Sequence, residues 1–441
     1  MTIEEVAREE TLREAFRRVA LNDGAPGADR QTIEEVEGHL EMVLSAVSRA
    51  LVTGTYQPGD IRRVWIPKTG GGERGLGIPN VIDRIVQQAV VQILSPHYEP
   101  TFHPSSHGFR PGRSCHTAIA EAKRYLEDGY GIVVDLDLER FFDRVHHERL
   151  LARLGKLVKD DRLIRLIRRM LKARVVMPDG VVVATEEGTP QGGPLSPLLS
   201  NIVLDELDWE LSRRGHRFVR YADDENIYVR SQRAGERVMA SVRDFIERKL
   251  RLKVNLKKSA VAKPEERHFL GFRLRREPED GSVEVDLSRR SKERIDERIR
   301  DNTRRSRGES LGTSLWKLNA YLGSWLGFFW IVTGKTAERT LHNLDAHIRR
   351  RLRALLLKQW RRKRSIVRRL IKLGCPSKKA WRTVYEGRRG LWDLSRRAAV
   401  QKATGIEYFE NQGLFSLEAS WQERWAREHA PVQLSLWLDM G

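Results

Sequence analysis

Two adjacent carboxylates, Asp223 and Asp224, stand between two segments that have the composition of β-strands. Segments 218–221 and 226–230 are rich in aromatic and β-branched residues, and the second alternates polar with apolar residues like a half-buried strand. Two acids at the tip of a hairpin repel each other, and a divalent cation between them relieves that repulsion. The pattern predicts a metal-binding hairpin, with an acidic surface turn as the alternative.

A third carboxylate is needed for nucleotidyl transfer with two metal ions, and the apolar run 131–138 contains two, Asp135 and Asp137. In a regular strand both acids share one face, so periodicity does not choose between them. Asp137 is followed by aromatic residues 141–142, whose rings could close over the sugar of an incoming nucleotide. We therefore choose Asp137 and expect Asp135 to support it or to be structural.

Asp137, Asp223 and Asp224 are thus the predicted catalytic and metal-binding acids. Magnesium is the expected cofactor, because it prefers oxygen ligands and is often shared with substrate phosphates. Two Mg²⁺ ions at such a site act on the attacking and the leaving oxygens of an in-line displacement.

Residues that would contact a nucleotide substrate stand elsewhere in the chain. Lys68 and Arg74 flank three glycines and could reach a triphosphate from a hairpin tip, although a solvated basic loop is the alternative. The Gln191 amide could hydrogen-bond the sugar or the template, unless 190–193 is only a glycine turn. Leu138 is also predicted to contact the substrate, although strand alternation points its side chain to the core.

Positive charge is concentrated near the end of the sequence. The net charge is +20, and residues 346–385 contain fifteen Lys or Arg and no acid, which indicates a polyanionic partner. Apolar residues recur at helical spacing through 347–364, which predicts one packed helix with a cationic outer face. Core positions are expected for Trp360, Trp381 and Trp392, with stacking on bases or sugars as the alternative. The predicted nucleic-acid-binding residues are Arg361, Arg362, Lys363 and Arg364, here called the basic quartet.

Eight sequence blocks occur in an order that is known from one family. They are 24–27, 66–79, 108–113, the Asp137 segment, 189–197, the Tyr-Ala-Asp-Asp tetrad at 221–224, 255–259 and 269–272. In these blocks the chain resembles the reverse transcriptase/maturase encoded by bacterial group II introns. Any one block could arise by chance, whereas all eight in order could not plausibly do so.

The resemblance implies an α/β (α+β) fold of the right-hand polymerase type. Fingers and palm, with an N-terminal helical extension, would occupy residues 1–286. A helical thumb, called domain X in maturases, would follow at 287–372. Residues 373–441 would form a small basic DNA-binding module.

The resemblance also implies roles and partners. Phe142 would be the steric gate against ribonucleotides, with a core aromatic as the alternative. Lys258 would assist the pyrophosphate leaving group, unless Lys257 or plain surface charge explains its position. The expected partners are group II intron RNA, target DNA, an RNA template with a DNA primer, and dNTPs. The sequence has no apolar span long enough for a membrane, and a bacterial cytoplasmic, nucleoid-associated location is expected.

Three further predictions depend on the resemblance. Only Cys115 and Cys375 are present, so the cysteine pairs of a His-Asn-His endonuclease are missing, as in the class C subgroup. A domesticated relative in host defence or repair would keep the polymerase acids, whereas a purely RNA-binding splicing factor would lose them. Glu225 follows the acidic pair and faces either solvent or the metal site.

Overall fold

The computed structural model describes residues 1–67, 72–277, 279–306, 308–386 and 390–428. The chain divides into two compact units, Met1–Arg267 and His268–Gly441. No helix in the described part of the chain is long and apolar enough to cross a membrane. The domain boundaries after residues 286 and 372 stay predictions.

The first unit combines helices with two four-stranded sheets. Its helices are α1 Ile3–Ala7, α2 Glu9–Leu21, α3 Ile33–Glu37, α4 Leu40–Thr53, α5 Val81–Tyr98, α6 Cys115–Glu127, α7 His147–Leu157, α8 Asp161–Leu171, α9 Ser196–Arg213 and α10 Gln232–Phe245. Its strands are β1 Ile61–Pro67, β2 Glu73–Ile78, β3 Ile132–Leu136, β4 Val175–Val176, β5 Val182–Val183, β6 Arg217–Tyr221, β7 Asp224–Val229 and β8 Ala260–Ala262. Several helices begin at a side chain that accepts a backbone N–H bond, as Thr2, Thr32 and Ser114 do in capping boxes.

The two sheets of this unit position different parts of the predicted site. One sheet has the order β2-β1-β4-β5, and its antiparallel β1–β2 hairpin pairs Ile66 with Arg74. The other sheet has the order β6-β7-β3-β8 and carries the predicted acids. The hydrophobic core packs against this second sheet and includes Val134 from β3, Ile227 from β7 and Val242 from α10.

Strand β7 is more deeply buried than its sequence pattern predicts. The pattern indicated a half-buried strand, but every residue from 225 to 229 is buried. On one face Tyr125 of α6 lies against Tyr228, with ring centroids 5.7 Å apart. On the other face α10 comes so close that a Cβ on Gly235 would lie 3.4 Å from Cγ2 of Val229. The half-buried interpretation was wrong because helices cover the strand on both sides.

The second unit begins with a hairpin and continues as helices. Its strands are β9 Phe272–Arg276 and β10 Val283–Leu287, which pair antiparallel. Its helices are α11 Arg289–Asn302, α12 Leu311–Phe329, α13 Gly334–Gln359, α14 Lys363–Lys372, α15 Ser377–Tyr385, α16 Leu391–Leu394, α17 Ala398–Ala403, α18 Ile406–Glu410 and α19 Leu417–Glu428. Ser288 and Ser310 cap α11 and α12, so the helical interpretation of these segments is confirmed.

The basic run 347–364 is not one helix. Helix α13 ends at Gln359, and α14 begins at Lys363. Between them Arg361 adopts a left-handed backbone with φ of 58°, which an α-helix does not accommodate. The single-helix prediction was wrong here, because periodicity reports the apolar stripe and not the backbone turn that interrupts it.

The last described segment packs against the helices that precede it in the second unit. Asp345 of α13 accepts hydrogen bonds from the backbone N–H groups of Leu417 and Glu418, both at 3.0 Å, at the start of α19. The Nδ2 of Asn319 in α12 donates to the Gly413 carbonyl at 2.6 Å. Buried Arg353 donates to the Ser395 carbonyl at 3.0 Å. This segment therefore shares one compact unit with α11–α14.

Candidate functional site

The acidic pair lies at the connection between β6 and β7. Tyr221 pairs with Asp224, so Ala222 and Asp223 form a two-residue turn and Asp224 is the first residue of β7. Ala222 has a left-handed φ of 57°. A Cβ on Gly108 would overlap the Ala222 backbone nitrogen, so a glycine at 108 lets another segment approach the turn closely. The predicted hairpin is present, with β7 beginning two residues earlier than expected.

Asp137 lies directly after β3 and is bound to the segment that contains Lys258. Its backbone N–H donates to Ser259 Oγ at 3.0 Å, and its carbonyl accepts from the Asn255 N–H at 2.8 Å. The Lys258 Nζ lies 3.3 Å from Asp137 Oδ2. The structure thus brings together two predicted catalytic residues that are far apart in sequence.

Asp135 has a different environment from Asp137. The Arg267 Nε donates to Asp135 Oδ2 at 2.7 Å. An arginine that is bound to a carboxylate balances its charge, which suits a supporting position better than a metal ligand. Periodicity left the choice between the two acids open, and the aromatic residues 141–142 led us to choose Asp137. Because each acid has a cationic partner, Lys258 for Asp137 and Arg267 for Asp135, that choice stays a prediction.

The three candidate acids influence one another electrostatically. Burial, followed by repulsion from Asp223, Asp135 and Asp137, raises the pKa of Asp224 to about 7, although the residue keeps an exposed surface at the turn. Burial also raises the pKa of Asp223; Asp137 adds to that increase, and Arg74 opposes it. Carboxylates that are this reluctant to ionise together form an acidic site that a cation would stabilise.

The donor set fits Mg²⁺ that is shared with a substrate. Asp137, Asp223 and Asp224 supply carboxylate oxygens, which are hard ligands. The described residues contain no ready-made group of three or more His, Cys, Asp or Glu side chains around one metal position. Mg²⁺ commonly binds through one or two carboxylates together with waters and substrate phosphates, so an all-protein cage is not required.

Arg74 and Gln191, both predicted to contact substrate, also contact each other. The Arg74 Nε donates to Gln191 Oε1 at 2.7 Å, and the Gly77 N–H donates to the Gln191 carbonyl at 2.7 Å. Gly192 has a φ of 126°, and a Cβ there would lie 2.6 Å from the Gly77 carbonyl oxygen. The glycine at 192 therefore lets the 190–193 segment dock on β2. Lys68 lies outside the described residues.

Phe142 and Leu138 are both largely buried. Phe142 is 9% exposed in a short 3₁₀ turn, and its carbonyl accepts from the Thr189 N–H at 2.6 Å. Leu138 is 7% exposed, belongs to the hydrophobic core and pairs with Val254. The gate role of Phe142 and the substrate role of Leu138 stay predictions.

Known proteins resemble both parts of the chain. Residues 66–274 match the family described as Reverse transcriptase (RNA-dependent DNA polymerase), and residues 292–373 match Group II intron, maturase-specific domain. The chain is 33% identical over 354 residues to Protein YkfC of Escherichia coli (strain K12), which covers 71% of this chain and 90% of YkfC. This chain belongs to the group II intron reverse transcriptases. The family resemblance and the mixed α/β fold class are thereby confirmed.

Other relatives match over shorter stretches. The reverse transcriptase is 39% identical over 196 residues to Group II intron-encoded protein LtrA of Lactococcus lactis subsp. cremoris, covering 44% of this chain and 32% of LtrA. A chain of the partial Cas6-RT-Cas1--Cas2 complex is 27% identical, with a TM-score of 0.37, over 56% of this chain and 43% of that chain. RNA-directed DNA polymerase is the enzyme class of the protein, and reverse transcriptases use divalent metal ions.

Arg220 is a site residue of the reverse transcriptase that sequence reasoning missed. It is 1% exposed, and its Nε and Nη2 donate to the two carboxylate oxygens of Asp208 at 2.7 and 2.5 Å. Its Nη1 donates to the Ala222 carbonyl at 2.9 Å and to Asn201 Oδ1 at 3.0 Å. Arg220 thus ties the turn that carries Asp223 to helix α9. The only sequence signal was a charged residue within a strand.

Glu225 is buried on the neighbouring strand β7, where it pairs with Arg220 of β6. It is 2% exposed, and neither carboxylate oxygen has a hydrogen-bond partner among the described residues. Burial, followed by the nearby charge of Asp208, raises the pKa of Glu225 well above its ordinary value, and the charge of Arg220 opposes that increase. The solvent-facing interpretation of Glu225 is excluded.

The basic quartet is exposed at the α13–α14 junction of the reverse transcriptase. The core prediction holds for Trp360, which is 5% exposed. Trp392 is partly buried, and the Arg350 guanidinium lies 3.8 Å from its ring centroid. The prediction is wrong for Trp381, which is 43% exposed, because α15 directs other residues, Ala380 and Val384, into the core.

Proposed function

We propose that the reverse transcriptase uses Asp137, Asp223 and Asp224 to hold two Mg²⁺ ions. The observation that carries this proposal is the convergence of these acids: after burial, repulsion from Asp223, Asp135 and Asp137 contributes to raising the pKa of Asp224 to about 7. When bound, the ions would activate the primer 3′-hydroxyl and neutralise charge on the pyrophosphate leaving group. RNA-templated synthesis of DNA is the reaction that this acidic site would serve.

The neighbouring side chains would bind and orient the nucleotide. Lys258 lies 3.3 Å from Asp137 and would stabilise the leaving pyrophosphate by charge or by donating a proton. Arg74 would contact the triphosphate, and its bond to Gln191 supports a joint role for both residues. Lys68 is proposed to act beside Arg74. Phe142 is proposed as the gate against the ribose 2′-hydroxyl, with Leu138 supporting the nucleotide.

The proposed biological role is that of an intron maturase that also copies its intron. The protein would bind its group II intron RNA through basic surfaces and stabilise the folded RNA, which is itself the catalyst of splicing in this family. It would then copy the inserted RNA into cDNA at a target DNA site during retrohoming. The charge of +20 supports these partners and a nucleoid-associated location in the bacterial cytoplasm. The class C assignment stays a prediction.

The test combines two assays of the full chain. Primer extension on an RNA template with a DNA primer and dNTPs should require Mg²⁺ and yield cDNA. Splicing of the intron that surrounds the reading frame should improve with the protein at limiting Mg²⁺. Extension without any effect on splicing would favour the domesticated relative in defence or repair, and no extension from an RNA template would refute the proposed reaction.

A further inference from the structure

Two large aromatic side chains are exposed side by side on α15. Trp381 and Tyr385 are each 43% exposed and stand four residues apart, so they share one face of the helix. Their ring centroids are 5.2 Å apart, and the ring planes meet at 27°. They form a stacked pair that is already ordered within the protein.

Packing in the core of the second unit does not account for the exposure of these two rings. Helix α15 already buries Ala380 and Val384 on another face. A single exposed tryptophan is not unusual in this unit, since Trp316 of α12 is 72% exposed, but Trp381 is exposed beside a second ring that it stacks on. Burying an aromatic ring contributes roughly 25 cal/mol per Å² of apolar surface, so adjacent exposed rings favour a partner that covers them.

Positive charge surrounds the two rings. The Lys363 Nζ lies 5.2 Å from the Tyr385 ring centroid, and Lys378, Lys379 and Arg382 are exposed on α15 itself. The acid described beside the pair is Glu386, which lies 3.9 Å from the Arg382 Nε. An apolar protein surface would gain nothing from this charge, whereas a polyanion with flat apolar faces matches both features.

We propose that Trp381 and Tyr385 form a stacking site for unpaired nucleobases of a nucleic-acid strand. The phosphates of that strand would contact Lys363 and Arg382 while a base covers the exposed rings. This inference deepens the proposed nucleic-acid binding, because it adds a preference for single strands. A duplex offers its base faces only at its ends, so a continuous helix would contact the cations without using the rings.

The test measures equilibrium binding of the full chain to a short unstructured RNA, to the DNA of the same sequence and to a fully paired duplex of that sequence. Trp381→Ala should weaken binding to single strands by roughly five- to a hundred-fold, because stacking on one aromatic side chain has that magnitude. Affinity for the duplex should stay within a few-fold. The dependence on salt should be unchanged, because the ring releases no counterions.

Two matched variants control for folding and chemistry. Trp381→Phe keeps a ring and should recover most of the lost affinity, and Tyr385→Phe should bind like the wild type. Both alanine variants, Trp381→Ala and Tyr385→Ala, should extend a saturating preformed primer–template at the wild-type rate. A difference between the RNA and DNA arms identifies which strand the site prefers and is compatible with the inference.

Several outcomes would overturn the proposed stacking site. Equal single-strand affinity for wild type and Trp381→Ala would remove the stacking role. If Trp381→Ala lost as much affinity for the duplex as for single strands, or had a smaller salt slope, Trp381 would be positioning the neighbouring cationic side chains and not stacking on a base. Altered self-association with unchanged oligonucleotide binding would assign the face to a second protein copy. Failure of the proposed nucleic-acid binding is distinguishable, since the wild type would then bind no oligonucleotide.

Discussion

The acidic hairpin and the α14–α15 surface handle charge in opposite ways. Around the hairpin, charged groups are removed from water and fixed by partners, as Arg220 is by Asp208. The basic quartet is exposed at the start of α14 and just before it, and Lys378 and Arg382 are exposed on α15; apolar side chains hold both helices. The first arrangement fixes positions for chemistry, and the second presents many similar charges to a long partner.

The two arrangements should respond differently to single substitutions. A buried charge that loses its partner is left in a medium that solvates it poorly, so one change has a large effect. An exposed cation that contacts a phosphate shares its task with its neighbours, so its effect is partial and depends on salt.

The largest effect is expected for Asp137→Asn or Asp223→Asn. Either change should reduce primer extension to background, because an amide is a poor ligand for Mg²⁺, while RNA affinity stays within a few-fold. Single-turnover extension and equilibrium binding measure the two properties. Asp244→Asn removes an exposed acid that pairs with Arg248 and serves as the control. Near-normal extension by either site variant would contradict the assignment.

The next largest effect is expected for Arg220→Met. It leaves Asp208 buried without its partner, which should lower the free energy of unfolding by on the order of 3–5 kcal/mol. Arg220→Lys keeps the charge but not the planar set of donors, so its kcat for extension should fall with little change in the dNTP KM. Urea unfolding and steady-state kinetics measure these effects. Arg217→Met, on the exposed start of the same strand, is the control, and full-rate extension by Arg220→Lys would contradict the positioning role.

A selective effect is expected for Phe142→Val. Removal of the ring should lower discrimination between dNTPs and rNTPs, by roughly 10- to 200-fold if one small steric contact decides it. The ratio of kcat/KM values for paired dNTP and rNTP substrates is the measurement. Phe141 touches Phe142 at a centroid distance of 5.2 Å, so Phe141→Val is the matched control for core damage. Equal loss of discrimination in both variants would assign the effect to packing.

A graded effect is expected when the basic quartet is replaced by four glutamines. Binding to intron RNA or target DNA should weaken, and each lost phosphate contact should reduce the log–log salt slope by roughly 0.7–0.9. Extension of a saturating preformed primer–template should change much less. An all-lysine quartet keeps the charge and should keep the slope. Lost polymerisation with an unchanged slope would mean that the quartet supports folding instead.

The smallest effect is expected for Asp205→Asn on α9. Burial, followed by the charge of Asp208, raises the pKa of Asp205 to about 6, so folding favours its protonated form. Its unfavourable contribution to stability therefore appears as pH rises from the unfolded pKa of about 4 through about 6. The variant should be more stable than wild type by on the order of 1–3 kcal/mol at pH 7.5, and the difference should vanish near pH 4. Urea unfolding across pH tests this, and a gap that does not depend on pH would contradict it.

Much of the active-site region could be predicted from the sequence because its signals are local. Apolar runs that contain or are followed by acids indicated β3 and the β6–β7 hairpin. The family blocks added the relation between Asp137 and Lys258, which lie 121 residues apart.

The rest depends on tertiary neighbours that no local pattern encodes. Burial of Glu225 requires helices on both faces of β7, and the role of Arg220 requires Asp208 from another element. Trp360 and Trp381 have similar sequence surroundings, yet only the former is buried. The break at Arg361 interrupts an apolar stripe that would be equally compatible with one straight helix.

The attachment of α19 to α13 has a consequence for how this protein family can recombine. A crossover near residue 373 that brought in an unrelated tail would leave the Asp345 carboxylate and the Asn319 amide without their backbone partners. Buried Arg353 would lose the Ser395 carbonyl at the same time. The last described helices should therefore be inherited together with α12 and α13, and a functional hybrid would need its junction before α12.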